Sequence, residues 1–276
     1  SLGQEVVIDH HNVDARPTSY LDDVTLVIRG LDHVEPVTGG VSMLWVISHP
    51  EQVTRKEAAV FDRVFAASIS WSEQVSVRWG VPVTPLLQCT DPAVFHPNDT
   101  PRRSDVVFVG KSRGVARPAV VYPVRAGIPL RVFGGEWEGI LPDGYVEAEY
   151  VDNASLGELY GRAGAVLNDH WNDMRHQGFI SNRVFDVVAA GGRVLSDRVE
   201  GLADVFGDAV VTYETPMDLV DLLRSDLDGV FPAESELRQH AQRIARDHSF
   251  RARARVLLEA AVEQLAGSTA AQENRI

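Results

Sequence analysis

The chain has 276 residues, 45% of them apolar, a single cysteine and a formal net charge of −13 at pH 7. That acidity opposes nucleic acid and anionic membrane surfaces, which need neutralising Lys and Arg, and no apolar run approaches the ~18 residues of a membrane span. No N-terminal basic-then-apolar stretch resembles a signal peptide. The expectation is a cytoplasmic protein of about two domains, with Cys89 as a buried thiol.

Short apolar strands are predicted at residues 6–8, 24–28, 43–47, 64–67 and 84–87. Helices are predicted at 54–61, with Thr54 as N-cap, and at 70–79, closed by Gly80. Alternation of this kind implies a parallel sheet. The connection between the first two strands carries Pro, Asn and Asp without helical periodicity, so the first domain reads as small or open.

Residues 95–104, with two prolines and no periodicity, read as a break, the linker proper being 99–104. The resulting division is an N-terminal domain (1–98), a C-terminal domain (105–232), C-terminal helices (233–266) broken near His248-Ser249, and a frayed tail (267–276). Strands in the second domain are predicted at 106–109, 130–133, 146–150, 165–167, 194–196 and 209–211, with helices at 116–126, 155–163, 180–190 and 216–225.

The chemistry concentrates in the polar loop after residues 165–167. It holds Asn168, Asp169, His170, Trp171, Asn172, Asp173, Arg175 and His176, then runs through Gly178 and Phe179 into a helix starting near Phe179, Ile180 or Ser181. In an open parallel sheet this edge binds ligands, and free N–H groups at a helix start suit a phosphate. A second loop, Gly110-Lys111-Ser112-Arg113-Gly114 with Arg117 beyond it, supplies a close-approach glycine and cations of the kind a diphosphate needs; it lacks the spacing of a Walker A loop. Asp186, one turn after Asn182-Arg183, is placed to accept ribose hydroxyls. His49, in Ser48-His49-Pro50, lies on a stiff loop after a first-domain strand. Trp45, Trp71 and Trp79 read as packing residues, whereas Trp137 in Gly134-Gly135-Glu136-Trp137 is open to either role. Nothing shows metal-ligand spacing or a nucleophile elbow.

These residues carry a family likeness. The sequence resembles GT-B glycosyltransferases, in particular the bacterial spore-maturation CgeB-type group. The likeness rests on Leu44-Trp45-Val46-Ile47-Ser48-His49-Pro50, Leu87-Gln88-Cys89-Thr90-Asp91-Pro92 and Phe108-Val109-Gly110. It continues through Leu167-Asn168-Asp169-His170-Trp171, Gly178-Phe179, Asn182-Arg183-Val184-Phe185-Asp186, Ala190-Gly191-Gly192 and Gly201-Leu202.

The resemblance implies two Rossmann-like domains facing across a cleft, the first short for the family. It implies transfer of a sugar from a nucleoside diphosphate donor to an unknown acceptor, with retention and without a cofactor or metal. Gly110, Lys111, Arg117, Gly134, Phe179, Ile180, Ser181, Asn182, Arg183 and Asp186 would bind the nucleotide sugar. His49, Asp169, His170 and Arg175 would surround the transferred sugar as catalytic residues. Asp186 takes the second position of the Glu-x7-Glu pattern of retaining members, while the first falls on Gly178. The alternatives are a sugar-nucleotide epimerase of the same architecture and a non-catalytic sugar-nucleotide-binding module.

Overall fold

The computed structural model describes residues 2–10, 16–36 and 39–273, with side chains through Gly267. In chain order the strands are β1 (Val24–Arg29), β2 (Val41–Val46), β3 (Arg63–Ala66), β4 (Val83–Pro85), β5 (Val106–Val109), β6 (Leu130–Phe133), β7 (Val146–Ala148), β8 (Ala165–Asn168), β9 (Val194–Asp197) and β10 (Val210–Tyr213). The helices are α1 (Arg55–Ala58), α2 (Ile69–Trp79), α3 (Pro118–Arg125), α4 (Asn153–Arg162), α5 (Asn172–His176), α6 (Asn182–Ala189), α7 (Leu202–Phe206), α8 (Pro216–Arg224), α9 (Leu227–Val230), α10 (Glu234–Asp247) and α11 (Phe250–Glu273).

The chain forms two compact units. Unit 1 comprises Ser1–Gln88, Asn172–Phe179 and Phe250–Ile276; unit 2 comprises Cys89–Trp171 and Ile180–Ser249. This differs from the division at residues 99–104. Residues 89–104 belong to unit 2, where Arg102 donates to the carbonyls of Ala163 and Gly191, both at 2.9 Å, and pairs with Glu234 at 2.6 Å. A segment anchored so densely is not a linker. The second break, near His248-Ser249, separates α10 in unit 2 from α11 in unit 1. Helix α11 also runs through residues 267–273 of the expected frayed tail, whose last residues, 274–276, lie outside the described residues.

Unit 1 is built on a parallel sheet in the order β1-β2-β3-β4. Strand β2 is buried along its whole length, as expected of a central parallel strand covered on both faces. Helix α2 starts where the Ser68 hydroxyl accepts from the Trp71 N–H and ends at Gly80 in the left-handed region. Residues 6–8 form no strand and stay exposed: three apolar residues between Glu5 and Asp9 find no partner strand. Residues 11–15, in the connection that follows, lie outside the described residues.

Unit 2 carries six parallel strands in the order β10-β9-β8-β5-β6-β7. Successive strands run outward from β5 through β6 to β7, then restart at β8 on its other side and continue to β9 and β10. The order reverses between β5 and β8, and the carboxyl ends of those two strands make the crevice where open α/β sheets bind ligands. The core beneath it includes Phe108, Val132, Leu167, Leu195 and Leu219, all fully buried, each contributing about 1.5–3 kcal/mol by leaving water.

The loops after β5 and β6 are locked together at this edge. Gly134 has φ of +134°, and a Cβ there would collide with the Gly110 carbonyl group and stand 2.9 Å from the Lys111 nitrogen. Trp137 is buried, and its Nε1–H donates to the Gly110 carbonyl at 3.0 Å. It therefore shapes the Gly110 loop from below. Because backbone, not a flexible side chain, fills the space beside Gly134, Gly134→Ala should lower unfolding free energy by about 2–4 kcal/mol. A urea titration showing a loss under ~0.5 kcal/mol would contradict this packing.

Candidate functional site

At the carboxyl ends of β5 and β8 the sequence places Gly110, Lys111 and Arg117 from one loop, and Asn168, Asp169 and His170 from the other. Helix α6 enters from Ser181. Arg117 grips Asp169 with two donors of its guanidinium, one from Nε at 3.1 Å and one from Nη2 to the other carboxylate oxygen. Its Nη1 donates to the Lys111 carbonyl at 3.0 Å. Arg183 reaches the same place from α6, its Nη1 donating to Asn168 Oδ1 at 2.9 Å. Both guanidiniums lie over the Phe108 ring, 4.7 and 5.1 Å from its centroid. A Cβ on Gly110 would stand 3.1 Å from Arg183 and 3.3 Å from Arg117, so both cations converge on that glycine.

The charges here do not cancel. Desolvation pulls the Arg183 guanidinium below its ordinary value, and neighbouring Arg117 acts in the same direction. Among the described residues Arg183 forms no ion pair: Asp169 is bonded to Arg117, and Asp169 and Asp186 act on Arg183 only through space. Lys111, well exposed, pairs with Glu136 at 3.0 Å.

Helix α6 is aimed by a polar network. Ser181 gives its hydroxyl to Asn168 Oδ1 at 2.8 Å and its N–H to His170 Nε2 at 2.9 Å. The opposite nitrogen of His170, Nδ1, lies 2.6 Å from Asp197 on β9. These partners assign the neutral tautomer with its proton on Nδ1. Asn168 is fixed further by Ser196 at 2.9 Å, and its carbonyl accepts from the Tyr213 hydroxyl at 3.0 Å. Among the described residues the N–H groups of Asn182 and Arg183, the first two of the helix, donate to no acceptor. They are the open end of the helix dipole.

Several expected contacts fall elsewhere. The His170 imidazole is fully buried with both nitrogens engaged, so it holds the helix start and does not project toward a sugar. Phe179 is fully buried in unit 1, edge-on to Trp71 at 5.5 Å, and Ile180 is buried in unit 2. Both are core residues. Gly134 serves the crossing of two loops. Asp186 is buried; its oxygens accept from the Thr90 hydroxyl and the Asn182 amide, each at 2.7 Å, rather than standing open to a ribose. His49 and Arg175 both belong to unit 1, where α5 packs on the short 3-10 turn that follows His49. Gly178, with φ of +70°, occupies a conformation in which a glutamate would be strained.

Ser196, Asp197 and Tyr213 were missed as members of this network, and Thr90 as the partner of Asp186. The signal available was polar residues closing the apolar strands β8 and β9. Two concavities lie at the amino ends of β5 and β6, lined by residues such as Arg103, Asp105, Arg131 and Tyr145. They are at the sheet edge opposite the switch point and contain none of these groups.

The glycosyl transferase-like family model matches residues 117–259, just over half of the chain. The chain belongs to that family. The match begins at Arg117, runs through β6 to β10 into α11, and includes Asp169 and Arg183 of this glycosyltransferase. No curated protein sequence matches it. Among solved structures it is similar to HepE from Anabaena, in complex with UDP-glucose, at TM-score 0.58 and 10% identity over 80% of this chain and 72% of that one. Sucrose-phosphate synthase from Thermosynechococcus elongatus follows at TM-score 0.56 and 15% identity, covering 83% and 69%. AviGT4, a glycosyltransferase of avilamycin A biosynthesis, has TM-score 0.54 and 19% identity over 89% and 75%. The common fold is GT-B, with parallel α/β units.

Burial pushes the Asp186 carboxyl from 3.8 up to about 7, against the hydrogen bonds from Thr90 and Asn182. The folded state therefore holds a proton that the unfolded chain has released between those pH values. This contribution is complete at low pH and is lost as pH rises through about 7, on the order of a few kcal/mol. Asp186→Asn, which cannot ionise, should lose less melting temperature than the parent between pH 5 and pH 8. Parallel melting curves would show that the carboxyl ionises normally in the fold.

Proposed function

We propose that this glycosyltransferase moves a sugar from a nucleoside diphosphate donor to an acceptor, with retention, in the cytoplasm, and as a member of the CgeB-type group its motifs resemble. The observation that carries the donor side is the pair of converging guanidiniums, Arg117 paired with Asp169 and Arg183 held by Asn168, beside the open N–H groups of α6. As the bond from the anomeric carbon to the diphosphate oxygen breaks, negative charge collects on the leaving group. Cations and helix amides already in place stabilise that charge without reorganising. These protein cations do what a divalent metal does elsewhere, and on that ground we propose that the reaction is metal-independent.

In this reading His170 and Asp197 are positioning residues: the imidazole accepts from the Ser181 N–H and turns the next two N–H groups toward the ligand. Lys111 lies at the exposed rim. His49 and Arg175, on neighbouring elements of unit 1, are assigned to the transferred sugar and acceptor. HepE, similar in fold, is in complex with UDP-glucose, which supports a sugar nucleotide as substrate class.

Arg117→Ala should weaken nucleoside diphosphate binding more than tenfold in calorimetry, since charge-assisted bonds are worth ~1.5–3 kcal/mol. Nucleoside binding should stay unchanged. Lys111→Ala, at a solvent-screened position, should cost under about fivefold. Equal losses for nucleoside and nucleoside diphosphate in Arg117→Ala would remove the diphosphate from this site.

A further inference from the structure

Arg117 meets Asp169 through the geometry it would offer a phosphate: two parallel donors of one guanidinium on two oxygens of one anion. The pair is largely buried, with side chains 15% and 13% exposed. Two guanidiniums, Arg117 and Arg183, stand here, and Asp169 is the carboxylate bonded to Arg117; Lys111 and Glu136 pair with each other at the rim, and Asp197 lies behind, on His170. A diphosphate esterified at both ends carries one negative charge on each phosphate. With Asp169 in place three negative charges would crowd the two arginines; withdrawing Asp169 removes one of them from beside the phosphates. Like charges forced together in such surroundings repel strongly, and the remaining Nη1 of Arg117 already donates to the Lys111 carbonyl.

We propose that Asp169 is an internal stand-in for a donor phosphate: its carboxylate holds Arg117 in the ligand-free protein and is displaced when the diphosphate binds. The inference rests on the diphosphate reading of the site. Its consequence is that part of the affinity of Arg117 for the donor is spent on releasing Asp169, so the site discriminates against single, weakly charged anions. The exchange also keeps two neighbouring guanidiniums from facing each other uncompensated when no ligand is present.

The test is titration of the full chain with inorganic pyrophosphate and with a nucleoside diphosphate. Asp169→Asn, nearly isosteric, should bind both at least about fivefold more tightly than the parent, while nucleoside affinity is unchanged. Unchanged or weaker binding of both would overturn the inference and make Asp169 a residue that aligns Arg117 for its ligand. If the parent binds neither probe, the diphosphate reading itself fails. Should Asp169→Asn fold poorly, crystals of the parent grown with pyrophosphate decide the matter: Asp169 more than 4 Å from Arg117 supports displacement, and an intact pair beside bound pyrophosphate refutes it.

Discussion

The convergence of Arg117 and Arg183 on one glycine, with Asp169 paired to Arg117, is the constraint around which unit 2 is arranged. Two cations brought together in a partly buried place repel each other and lose hydration. The fold supports them with the Phe108 ring beneath both guanidiniums, the Asn168 amide oxygen on Arg183 and the carboxylate on Arg117. The strand order makes the encounter possible: β5 and β8 are neighbours in the sheet but far apart in sequence, and the order reverses between them. What remains unbalanced is local positive charge on a protein whose overall charge is strongly negative. Such a site attracts an anion only at close range, where fixed donors outweigh the general field.

The polar network behind α6 explains why so many hydrogen-bonding residues lie beneath the site. Asn168, Ser196, Asp197 and Tyr213 satisfy one another across β8, β9 and β10, as buried polar groups must. They also fix the one imidazole that seats the helix start. A loosened member would tilt α6 and move Arg183, so the chemistry of the rim depends on groups no ligand touches. Asp186, on the same helix, ties α6 to Thr90, whose N–H donates to the His248 carbonyl at 2.9 Å. The two ends of the chain segment that forms unit 2 thus meet beside the helix.

The sequence made much of this legible, because parallel strands buried on both faces read as apolar runs with sharp ends. Strands β5 and β6 have the predicted bounds, and α2 was marked by its closing glycine. Helix α5 was read as loop: of its five residues only Met174 is buried, too little for periodicity to register. The apolar triplet at 6–8 illustrates the converse, that hydrophobicity without a partner makes no strand. The crowding of polar residues after β8 lies where the strand order reverses, but the roles of single residues depended on distant partners. His170 meets Asp197 across the sheet, and Asp186 meets Thr90, 96 residues earlier. No local pattern carries that information. The division into compact units differs from the expected one for the same reason, since Arg102 is anchored by residues far along the chain.

The central claim, that an under-neutralised arginine pair at the switch point receives a diphosphate, is tested most directly by titrating the unaltered protein with a nucleoside, its monophosphate and its diphosphate over a range of salt concentrations. The account predicts that affinity rises steeply at the diphosphate and that this increment shrinks as salt is added. Equal affinity across the three ligands, or an increment indifferent to salt, would contradict it.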